Sequence, residues 1–463
     1  MLAGDMMIHF DNSYLRDLPG SYLRLPPAVP PAPKLLVQND GLAAALGLDL
    51  TGAEAWLSGA SLPEGAEPAA LAYAGHQFGG FSPQLGDGRA HMLGEFLGPD
   101  GRRWDLQLKG SGRTPFSRGG DGKAAVGPML REYLISEAMA ALGVPTTRSL
   151  AVMATGETVL RQDGPLPGAV LARVAASHIR VGTFQFFAAR GQQDVVEALL
   201  NYTIARHYPA AEGALGLFDA VVARQSRLIA QWMGLGFVHG VMNTDNMALS
   251  GETIDYGPCA FMDAYAPDTV FSSIDRQGRY AYGNQPGIMA WNLARLAEAL
   301  LPFFDADQAR AVELVNERLQ AIAGQYQRDW LAEMRRKLGL IDVDPADEAL
   351  IADLLALMPG RDWTLTFRRA FDGLGDGLGD WRQRWLDRAG PGAEARVHAA
   401  NPSVIPRNHR VEEALVAATD GDMTPFFALL AAVTDPFGPE AGREGFVLPP
   451  PEGLTPYVTY CGT

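Results

Sequence analysis

Residues 238–263 read VHGVMNTDNMALSGETIDYGPCAFMD, and the fold assignment starts from them. The pattern predicts the end of a buried strand, a polar loop, a short hairpin and then an Asp-Tyr-Gly tripeptide that begins at Asp255. A long amphipathic segment, residues 217–233, leads directly into this stretch and predicts a helix. Asn246 and Asp255 carry amide and carboxylate oxygens, which are ligands that Mg²⁺ accepts. The stretch therefore predicts a metal site at the end of a long helix and a short strand.

The order of these residues is similar to that of protein kinases, where a His-Arg-Asp loop, a later Asn and an Asp-Phe-Gly supply the base and the metal ligands. Asn246 and Asp255 match the two metal positions. Kinases carry the catalytic Asp five residues before the Asn, and Val241 occupies that position here. An inactive site and a site with different chemistry both remain open on this stretch alone.

Two charged residues upstream extend the kinase-like order. Residues 104–109 (WDLQLK) alternate apolar and polar side chains, which predicts a strand that ends at Lys109. Glu132 follows on a predicted helix that Pro128 opens. In kinases a strand lysine binds the nucleotide phosphates and is held by a glutamate of the next helix. An isolated Lys/Glu pair is usually solvent-exposed, but its combination with the downstream metal motif favours a nucleotide site.

Further basic residues follow the same region. Residues 110–127 (GSGRTPFSRGGDGKAAVG) are rich in glycine, but Ala124 stands where a Walker A loop needs Ser or Thr. Glycine backbone N–H groups can approach an anion closely, so a phosphate site and a plain surface loop both remain open. Arg173 and Arg180 lie at a predicted strand-to-helix junction. Their guanidinium groups can bind phosphate in a bidentate manner, and surface salt bridges are the alternative.

The elements between these motifs are predicted from periodicity and turn residues. A hairpin is expected to turn at Thr155 and Gly156, and a helix is expected over residues 194–208. Residues 290–440 are predicted to be almost entirely helical, with a single helix over residues 411–433.

Composition excludes several classes of protein. The 463 residues are 47% hydrophobic and 20% charged, which is typical of globular proteins. The net charge of −15 argues against non-specific binding to nucleic acid or anionic membranes. Only two cysteines occur, so a disulfide scaffold and a Cys/His zinc site are excluded. The sequence has no signal-peptide pattern and no apolar run of about 18 residues, and we expect a cytoplasmic protein that does not associate with membranes.

Long strings throughout the chain resemble selenoprotein O, the SelO family of pseudokinase protein adenylyltransferases. The strings are FDNSYLRDLPGSY, YAGHQFGGFSPQLGDGRA, KGSGRTPFSRGGDGKA, VHGVMNTDNM, IDYGP, NPSVIPRNH and the terminal YCGT. The resemblance implies an α+β, protein-kinase-like bilobal fold with a β-rich N-lobe and a helical C-lobe. We expect an N-terminal arm in residues 1–65, the N-lobe in 66–180, the C-lobe with its metal site in 181–290, and a helical extension with a redox tail in 291–463.

The resemblance also implies an activity. Family members transfer AMP from ATP to Ser, Thr or Tyr hydroxyls of proteins, with ATP flipped relative to ordinary kinases and pyrophosphate released. The expected cofactor is Mg²⁺ or Mn²⁺, the expected partners are ATP and protein substrates, and the expected state is a monomer. UMP transfer with manganese, a conventional kinase and a non-catalytic nucleotide-binding pseudokinase are the alternatives. Val241 in place of the usual Asp counts against the kinase, and the retained metal motif counts against the pseudokinase without activity.

Site residues follow from the resemblance by motif. Asp245 is the implied proton acceptor, and Lys109 and Glu132 are the implied supporting pair. Asn246 and Asp255 are the implied metal ligands. The implied ATP contacts are Gly86, Gly88, Arg89, Lys109, Asp121, Gly122, Arg173, Arg180 and Asp255.

A redox role is implied for the cysteines. Family members carry selenocysteine or cysteine third from the end, and Cys461 matches the cysteine form. Some bacterial members pair it with a cysteine in the loop after Asp-Tyr-Gly, but residues 269–274 contain none. The hypothesis is therefore a disulfide between Cys259 and Cys461 that clamps this loop, and two unpaired thiols are the alternative.

Overall fold

The computed structural model describes residues 8–162, 164–372, 377–451 and 457–459. The N-terminal half contains most of the strands, and the chain after residue 181 is mainly helical. This mixed α/β organisation confirms the expected division into a β-rich and a helical region. Within the described part of the chain, no helix has both the length and the apolar character needed to span a membrane.

An antiparallel sheet dominates the N-terminal region, with strand order β1-β3-β6-β7-β10-β9-β2 and with β8 paired to β10. Strands β4 and β5 form a separate small hairpin, and β11 pairs with β12. The twelve described strands are β1 (Tyr22–Arg24), β2 (Lys34–Gln38), β3 (Ala69–Leu71), β4 (Gly75–Gln77), β5 (Gly80–Ser82), β6 (Ala90–Leu97), β7 (Arg103–Lys109), β8 (Ala124–Ala125), β9 (Arg148–Arg161), β10 (Gly164–Ala175), β11 (Phe237–Val238) and β12 (Ala260–Phe261).

Helices cover the sheet and build the C-terminal region. In the described residues they are α1 (Ser13–Asp17), α2 (Asp40–Leu46), α3 (Glu54–Leu57), α4 (Val126–Ala141), α5 (Val181–Ala188), α6 (Gln193–His207), α7 (Gly213–Leu235), α8 (Gln285–Leu300), α9 (Gln308–Lys337), α10 (Asp347–Leu357), α11 (Trp363–Arg368), α12 (Asp380–Ala389), α13 (Ala393–Ala400), α14 (Asn408–Thr419), α15 (Thr424–Val433) and α16 (Glu444–Val447). The named single turns of 3₁₀ helix in the described residues are Thr244–Asn246, Tyr282–Asn284 and Leu301–Phe303.

The sheet register brings the polar side chains of two strands onto one face. Gln107 of β7 lies opposite Arg173 of β10, and Lys109 lies opposite Leu171. Because side chains alternate along a strand, Gln107 and Lys109 share that face with Arg173. The opposite face carries Leu106 and Leu108, which are buried in the core cluster that includes residues of α2 and α3. The predicted alternation of residues 104–109 is confirmed, although the polar face is buried rather than solvent-exposed.

Several local predictions were wrong. Helix α4 begins at Val126, so Pro128 lies inside its first turn rather than opening it. Strand β9 continues without a turn through residues 155 and 156, and Arg161 at its end pairs with Gly164 at the start of β10. The short hairpin expected before Asp255 is not among the described strands. Ala248 instead forms an isolated bridge with Arg180, and Thr253 forms one with Thr146.

Candidate active site

Five charged side chains meet at one buried site between the sheet, α4 and the Asp-Tyr-Gly segment. Lys109 Nζ donates to Glu132 Oε2 at 2.6 Å and to Asp255 Oδ1 at 2.7 Å. Arg173 Nη1 lies 3.0 Å from Glu132 Oε1 and 2.6 Å from Asp255 Oδ1. Arg180 Nη1 donates to Asp255 Oδ2 at 2.6 Å. We call these five residues the charge cluster, and all five were expected in the site from the sequence.

The charge cluster contains three cations and two carboxylates, so its net charge is +1. Burial alone would raise the pKa of Asp255, but Lys109, Arg180 and Arg173 outweigh burial and hold this pKa well below its ordinary value. The Nε atoms of Arg173 and Arg180 have no hydrogen-bond partner among the described residues. A buried surplus of positive charge with free N–H donors is suited to bind an anion such as phosphate.

The backbone at Asp255 adopts an unusual conformation. Its φ angle is +62°, in the left-handed region that side chains other than glycine rarely enter. Tyr256 is fully buried and its hydroxyl is hydrogen-bonded to Thr146, while Gly257 N donates to Asp255 O at 2.9 Å. The anchored tyrosine on one side and the ion pairs on the other hold the carboxylate toward the cluster.

Asp245 lies in the polar loop, in the 3₁₀ turn Thr244–Asn246. Arg180 Nη1 also donates to Asp245 O at 2.6 Å, which joins this loop to the charge cluster. The Asp245 side chain accepts one hydrogen bond, from Gln77 Nε2 to Oδ2 at 3.2 Å, and its Oδ1 has no partner among the described residues. Burial raises the pKa of Asp245 from 3.8 to about 6. A carboxylate with this pKa and one free oxygen can accept a proton near neutral pH.

Asn246 is oriented by Val241, the residue five positions before it. Its Nδ2 donates to the carbonyl oxygen of Val241 at 2.9 Å, so Oδ1 is the atom left for a ligand. Asp255 retains partial exposure, with 20% of its side chain accessible. Two oxygen donors fit Mg²⁺, which usually takes few protein ligands and completes its shell with phosphate and water. Among the described residues no group of three or more His, Cys, Asp or Glu is arranged as a metal site.

The expected ATP contacts in residues 86–89 lie in a turn that packs against the glycine-rich loop. A side chain at Gly86 would overlap the ring of Phe116, and a Cβ at Gly88 would lie 2.8 Å from Phe116 O. Asp87, between them, accepts from Gln107 Nε2 at 3.1 Å. Gln107 in turn accepts from Arg173 Nη2 at 2.5 Å, so hydrogen bonds connect this turn to the charge cluster. Arg89 follows the turn and is half-buried.

Asp121 and Gly122, also expected to contact ATP, are engaged elsewhere. Asp121 accepts from Arg161 of β9 at 2.9 Å and from the backbone N–H of Lys123 at 2.9 Å. A side chain at Gly122 would overlap the backbone of Gly112 in the same loop. Their hydrogen bonds and close contacts therefore lie within the loop and with β9, and none reaches the charge cluster.

Three uncharged residues of the site were missed. Gln107 was detectable, because it shares a strand face with Lys109. Tyr73 lies under Arg180, whose Cζ is 4.6 Å from the ring centroid, and Gln77 holds Asp245. Gln77 and Asp245 are 168 positions apart, and no local pattern marks either Tyr73 or Gln77.

The C-terminal residues 457–459 pack beside the Asp-Tyr-Gly segment. Thr459 Oγ1 donates to Pro258 O at 2.8 Å, and Thr459 N donates to Phe271 O at 2.7 Å. Cys259 is fully buried and has no disulfide partner among the described residues, and burial raises the pKa of its thiol to about 11. Cys461 lies outside the described residues, so the disulfide between these cysteines stays a prediction.

Comparison with known proteins gives a consistent result. A family model described as "Protein adenylyltransferase SelO" matches residues 6–386. The chain is 59% identical to a protein nucleotidyltransferase YdiU of Cereibacter sphaeroides, with 99% of this chain and 100% of the relative covered. Proteins of the same name are 54% identical in Sphingopyxis alaskensis, covering 99% and 100%, and 52% identical in Rhizobium johnstonii, covering 98% and 97%.

Proposed function

Because the chain belongs to the SelO family and is a protein nucleotidyltransferase, we propose that it transfers AMP from ATP to protein hydroxyl groups at the charge cluster and Asp245. The observation that carries this proposal is the buried net charge of +1 formed by Lys109, Arg173 and Arg180 around two carboxylates. The phosphate groups of ATP would neutralise this surplus.

The proposed architecture is a kinase-like bilobal fold. The ion pair of Lys109 on β7 and Glu132 on α4 supports it, because the same strand-to-helix pair positions the nucleotide in kinases. We propose residues 66–180 as the N-lobe and 181–290 as the C-lobe. Residues 1–65 form the proposed arm and 291–463 the proposed extension.

In this proposal the cations of the cluster bind the two terminal phosphates and leave the α-phosphate toward Asp245. In an ordinary kinase the terminal phosphate must face the acceptor. Here the three cations would bind the two terminal phosphates instead, which favours the flipped orientation of ATP. Asn246 and Asp255 would hold Mg²⁺ or Mn²⁺, and the ion would supply neutralisation of phosphate charge. The turn with Gly86, Gly88 and Arg89 is a proposed ATP contact. Hydrogen bonds from Asp87 to Gln107 and from Gln107 to Arg173 connect this turn to the charge cluster. The glycine-rich loop with Asp121 and Gly122 remains a proposed contact that depends on the family resemblance.

The proposed reaction proceeds by in-line displacement. The substrate hydroxyl oxygen forms a bond to the α-phosphorus, and the bond from that phosphorus to the α,β-bridging oxygen breaks. Pyrophosphate leaves with the electron pair, and AMP remains as a phosphate ester on the protein. The Asp245 carboxylate takes the hydroxyl proton.

Labelled nucleotides test the proposed function. The protein is incubated with an acceptor protein mixture and ATP labelled at either the α- or the γ-phosphate, with Mg²⁺ or Mn²⁺. Label transferred from the α position only supports AMP transfer, and label from the γ position only would show a conventional kinase. No transfer from either position, with retained ATP binding, would show a nucleotide-binding protein without activity. UTP labelled at the α-phosphate, run in parallel with Mn²⁺, measures the preference between AMP and UMP.

We also propose that Cys259 and Cys461 form a regulatory disulfide. The position of Thr459 supports it, because this residue contacts Pro258 and precedes Cys461 by two positions. Formation removes two protons and two electrons, so it requires an external oxidant such as a disulfide reagent. Thiol titration after oxidation should find no free thiol, and two free thiols would refute the pairing.

A further inference from the structure

The hairpin of β4 and β5 lies directly over the loop that carries Asp245. His76 N donates to Thr244 Oγ1 at 2.7 Å, and Phe78 N lies 3.2 Å from Asn243 Oδ1. A side chain at Gly75 would overlap Asp245 Oδ1. The free oxygen of the proposed proton acceptor is therefore covered by this hairpin, and a substrate hydroxyl that gives its proton to Asp245 would lie next to it.

The outer side of the hairpin carries exposed aromatic rings. Phe78 is 38% exposed and Phe81 is 42% exposed. The ring of His76 joins Phe81 to the helical region, with centroids 4.8 Å from Phe81 and 5.2 Å from Trp291. Arg279 lies over Trp291, with its Cζ 4.8 Å from the ring centroid. We call these five residues the acceptor face.

Arg279 gives the acceptor face a positive charge. Within the described part of the chain, no carboxylate lies within 4 Å of its guanidinium, and its buried Nε has no hydrogen-bond partner. The group is held by Trp291 and by Tyr280, whose ring centroid is 5.7 Å away. The chain has 53 acidic and 38 basic residues, and Arg279 places one positive charge beside the exposed rings of Phe78 and Phe81. Arginine and aromatic residues are the types most enriched at binding hot spots.

The acceptor face is continuous with the catalytic loop. Tyr280 OH donates to Asn243 Oδ1 at 2.6 Å and lies 3.0 Å from Phe78 N. The rings of Phe78 and Tyr280 are 5.0 Å apart, so the hairpin, the loop and the segment that carries Arg279 form one packed unit. Asp245 is only 7% exposed, and its Oδ1 is an acceptor that a substrate O–H would satisfy.

We propose that the acceptor face binds the segment of the protein substrate that carries the modified hydroxyl. An acidic side chain of that segment pairs with Arg279, and an apolar side chain packs on Phe78 and Phe81. This inference rests on the proposed function, because it assigns the acceptor side of the same site. It predicts a preference for hydroxyl residues in acidic and apolar surroundings.

Matched peptides test the charge preference. Three peptides are compared, and each contains the same central Ser, Thr and Tyr residues with leucine beside them. The flanking positions are Glu in the first peptide, Gln in the second and Lys in the third. Label from α-phosphate-labelled ATP is measured on each peptide. The unmodified enzyme should show a kcat/KM at least about tenfold higher for the Glu peptide than for the Lys peptide, because like charges at an interface are strongly unfavourable.

Charge reversal and a neighbouring control identify the residue responsible. Arg279→Glu should invert the preference and favour the Lys peptide. Arg276→Glu is the matched control, since Arg276 is exposed on the same segment and forms no ion pair with a described residue. The control should keep the preference for the Glu peptide, and both variants should bind ATP as the unmodified enzyme does.

The apolar contact is tested separately. Phe81→Ser should raise KM for the Glu peptide severalfold and leave kcat for saturating peptide nearly unchanged. Phe78→Gly should act in the same way, and glycine accommodates the φ angle of +50° at this position. Phe427→Ser is the control, because Phe427 has a similar exposure of 46% and lies on α15, which packs against α14 and α4.

The outcomes separate this inference from the proposed function. Equal labelling of the three peptides, or the same preference in Arg279→Glu as in the unmodified enzyme, overturns the acceptor face while AMP transfer stands. Labelling of proteins in a lysate without labelling of any of the peptides also overturns it, since a short segment should suffice. Absence of α-label on every acceptor refutes the proposed function itself.

Discussion

Lys109→Met removes one of the three cations of the charge cluster and keeps an apolar stem of similar length. Both carboxylates retain partners in the variant. Glu132 keeps Arg173 at 3.0 Å, and Asp255 keeps Arg173 and Arg180 at 2.6 Å each. The net charge of the cluster falls from +1 to 0. The free energy of unfolding of the nucleotide-free protein should therefore change little, because no buried carboxylate is left uncompensated.

The effect should instead be seen when ATP binds. A hydrogen bond to a charged group contributes about 1.5–3 kcal/mol, which corresponds to a rise in Kd of about 10–150-fold. At an ATP concentration about 100 times the Kd, ligand binding stabilises the unmodified protein by about 2.7 kcal/mol. A Kd about 30-fold weaker reduces the ratio to about 3 and the stabilisation to about 0.8 kcal/mol. Lys109→Met should thus lose about 2 kcal/mol of the stabilisation by ATP.

Urea denaturation with and without Mg-ATP measures this difference. Lys34→Met is the matched control, because Lys34 is exposed on β2 and forms no ion pair with a described residue. The control should keep the full stabilisation by ATP. If Lys109→Met also keeps it, Lys109 does not bind phosphate. If the variant instead loses several kcal/mol without nucleotide, the lysine has mainly a structural role.

Other variants test the remaining parts of the site. Asp245→Asn should abolish transfer, and in metal-free buffer it should stabilise the protein at pH 8 but not at pH 4. Burial raises the pKa of Asp245 from 3.8 to about 6, so the folded state of the unmodified protein binds this proton more tightly than the unfolded state does. The free energy of unfolding of the unmodified protein therefore falls as the pH rises between these two values, by up to about 3 kcal/mol. Urea unfolding at both pH values checks the sign, and a loss of stability at pH 8 would contradict it. Gly75→Ala should reduce transfer while ATP binding persists, because the added methyl group displaces Asp245 Oδ1. Transfer and ATP binding are measured in parallel. Full transfer activity in the variant would contradict the prediction and would mean that the hairpin moves away during turnover. Asp255→Ala should abolish transfer and cost about 3–5 kcal/mol of stability, because it leaves the buried Arg180 without a carboxylate and leaves Lys109 and Arg173 with Glu132 alone. Calorimetry and α-label transfer measure the two effects, and retained transfer would refute the assigned role.

Three members of the charge cluster belong to recognisable local patterns, whereas Arg173 and Arg180 were expected in the site only from the family resemblance. Lys109 ends an alternating strand, Glu132 lies on the next helix, and Asp255 opens the Asp-Tyr-Gly tripeptide. Each pattern fixes a backbone element, and the order of the elements limits how they can meet. Tyr73 and Gln77 were missed because their roles arise only from contacts between segments far apart in the chain.

Gly156 shows why a local signal can mislead. Its φ angle of +77° is typical of a turn, and the sequence predicted a hairpin there. The strand continues, however, and a Cβ at this glycine would lie 2.6 Å from Ala32 of the N-terminal segment. Ala32 N donates to Thr155 O at 3.1 Å, so the glycine permits close approach of that segment rather than a turn.

The helical region was predicted in outline only. Residues 411–433 form α14 and α15, because Asp420 to Met423 interrupt the predicted single helix. Helices α12 and α13 were not predicted. Both are short, and half of the ten residues of α12 are charged, so only a few apolar positions mark its buried side.

Val241 links the missing kinase base to the position of the acceptor face. The side chain at this position is buried and cannot take a proton, while its carbonyl oxygen fixes the amide of Asn246. The adjacent carboxylate, Asp245, lies instead beneath the hairpin of β4 and β5, held by Gln77. In the proposed function, a substrate hydroxyl reaches Asp245 at a carboxylate that this hairpin covers. The loss of the usual aspartate and the exposed rings of Phe78 and Phe81 thus fit a single explanation, in which the protein substrate approaches from the hairpin side.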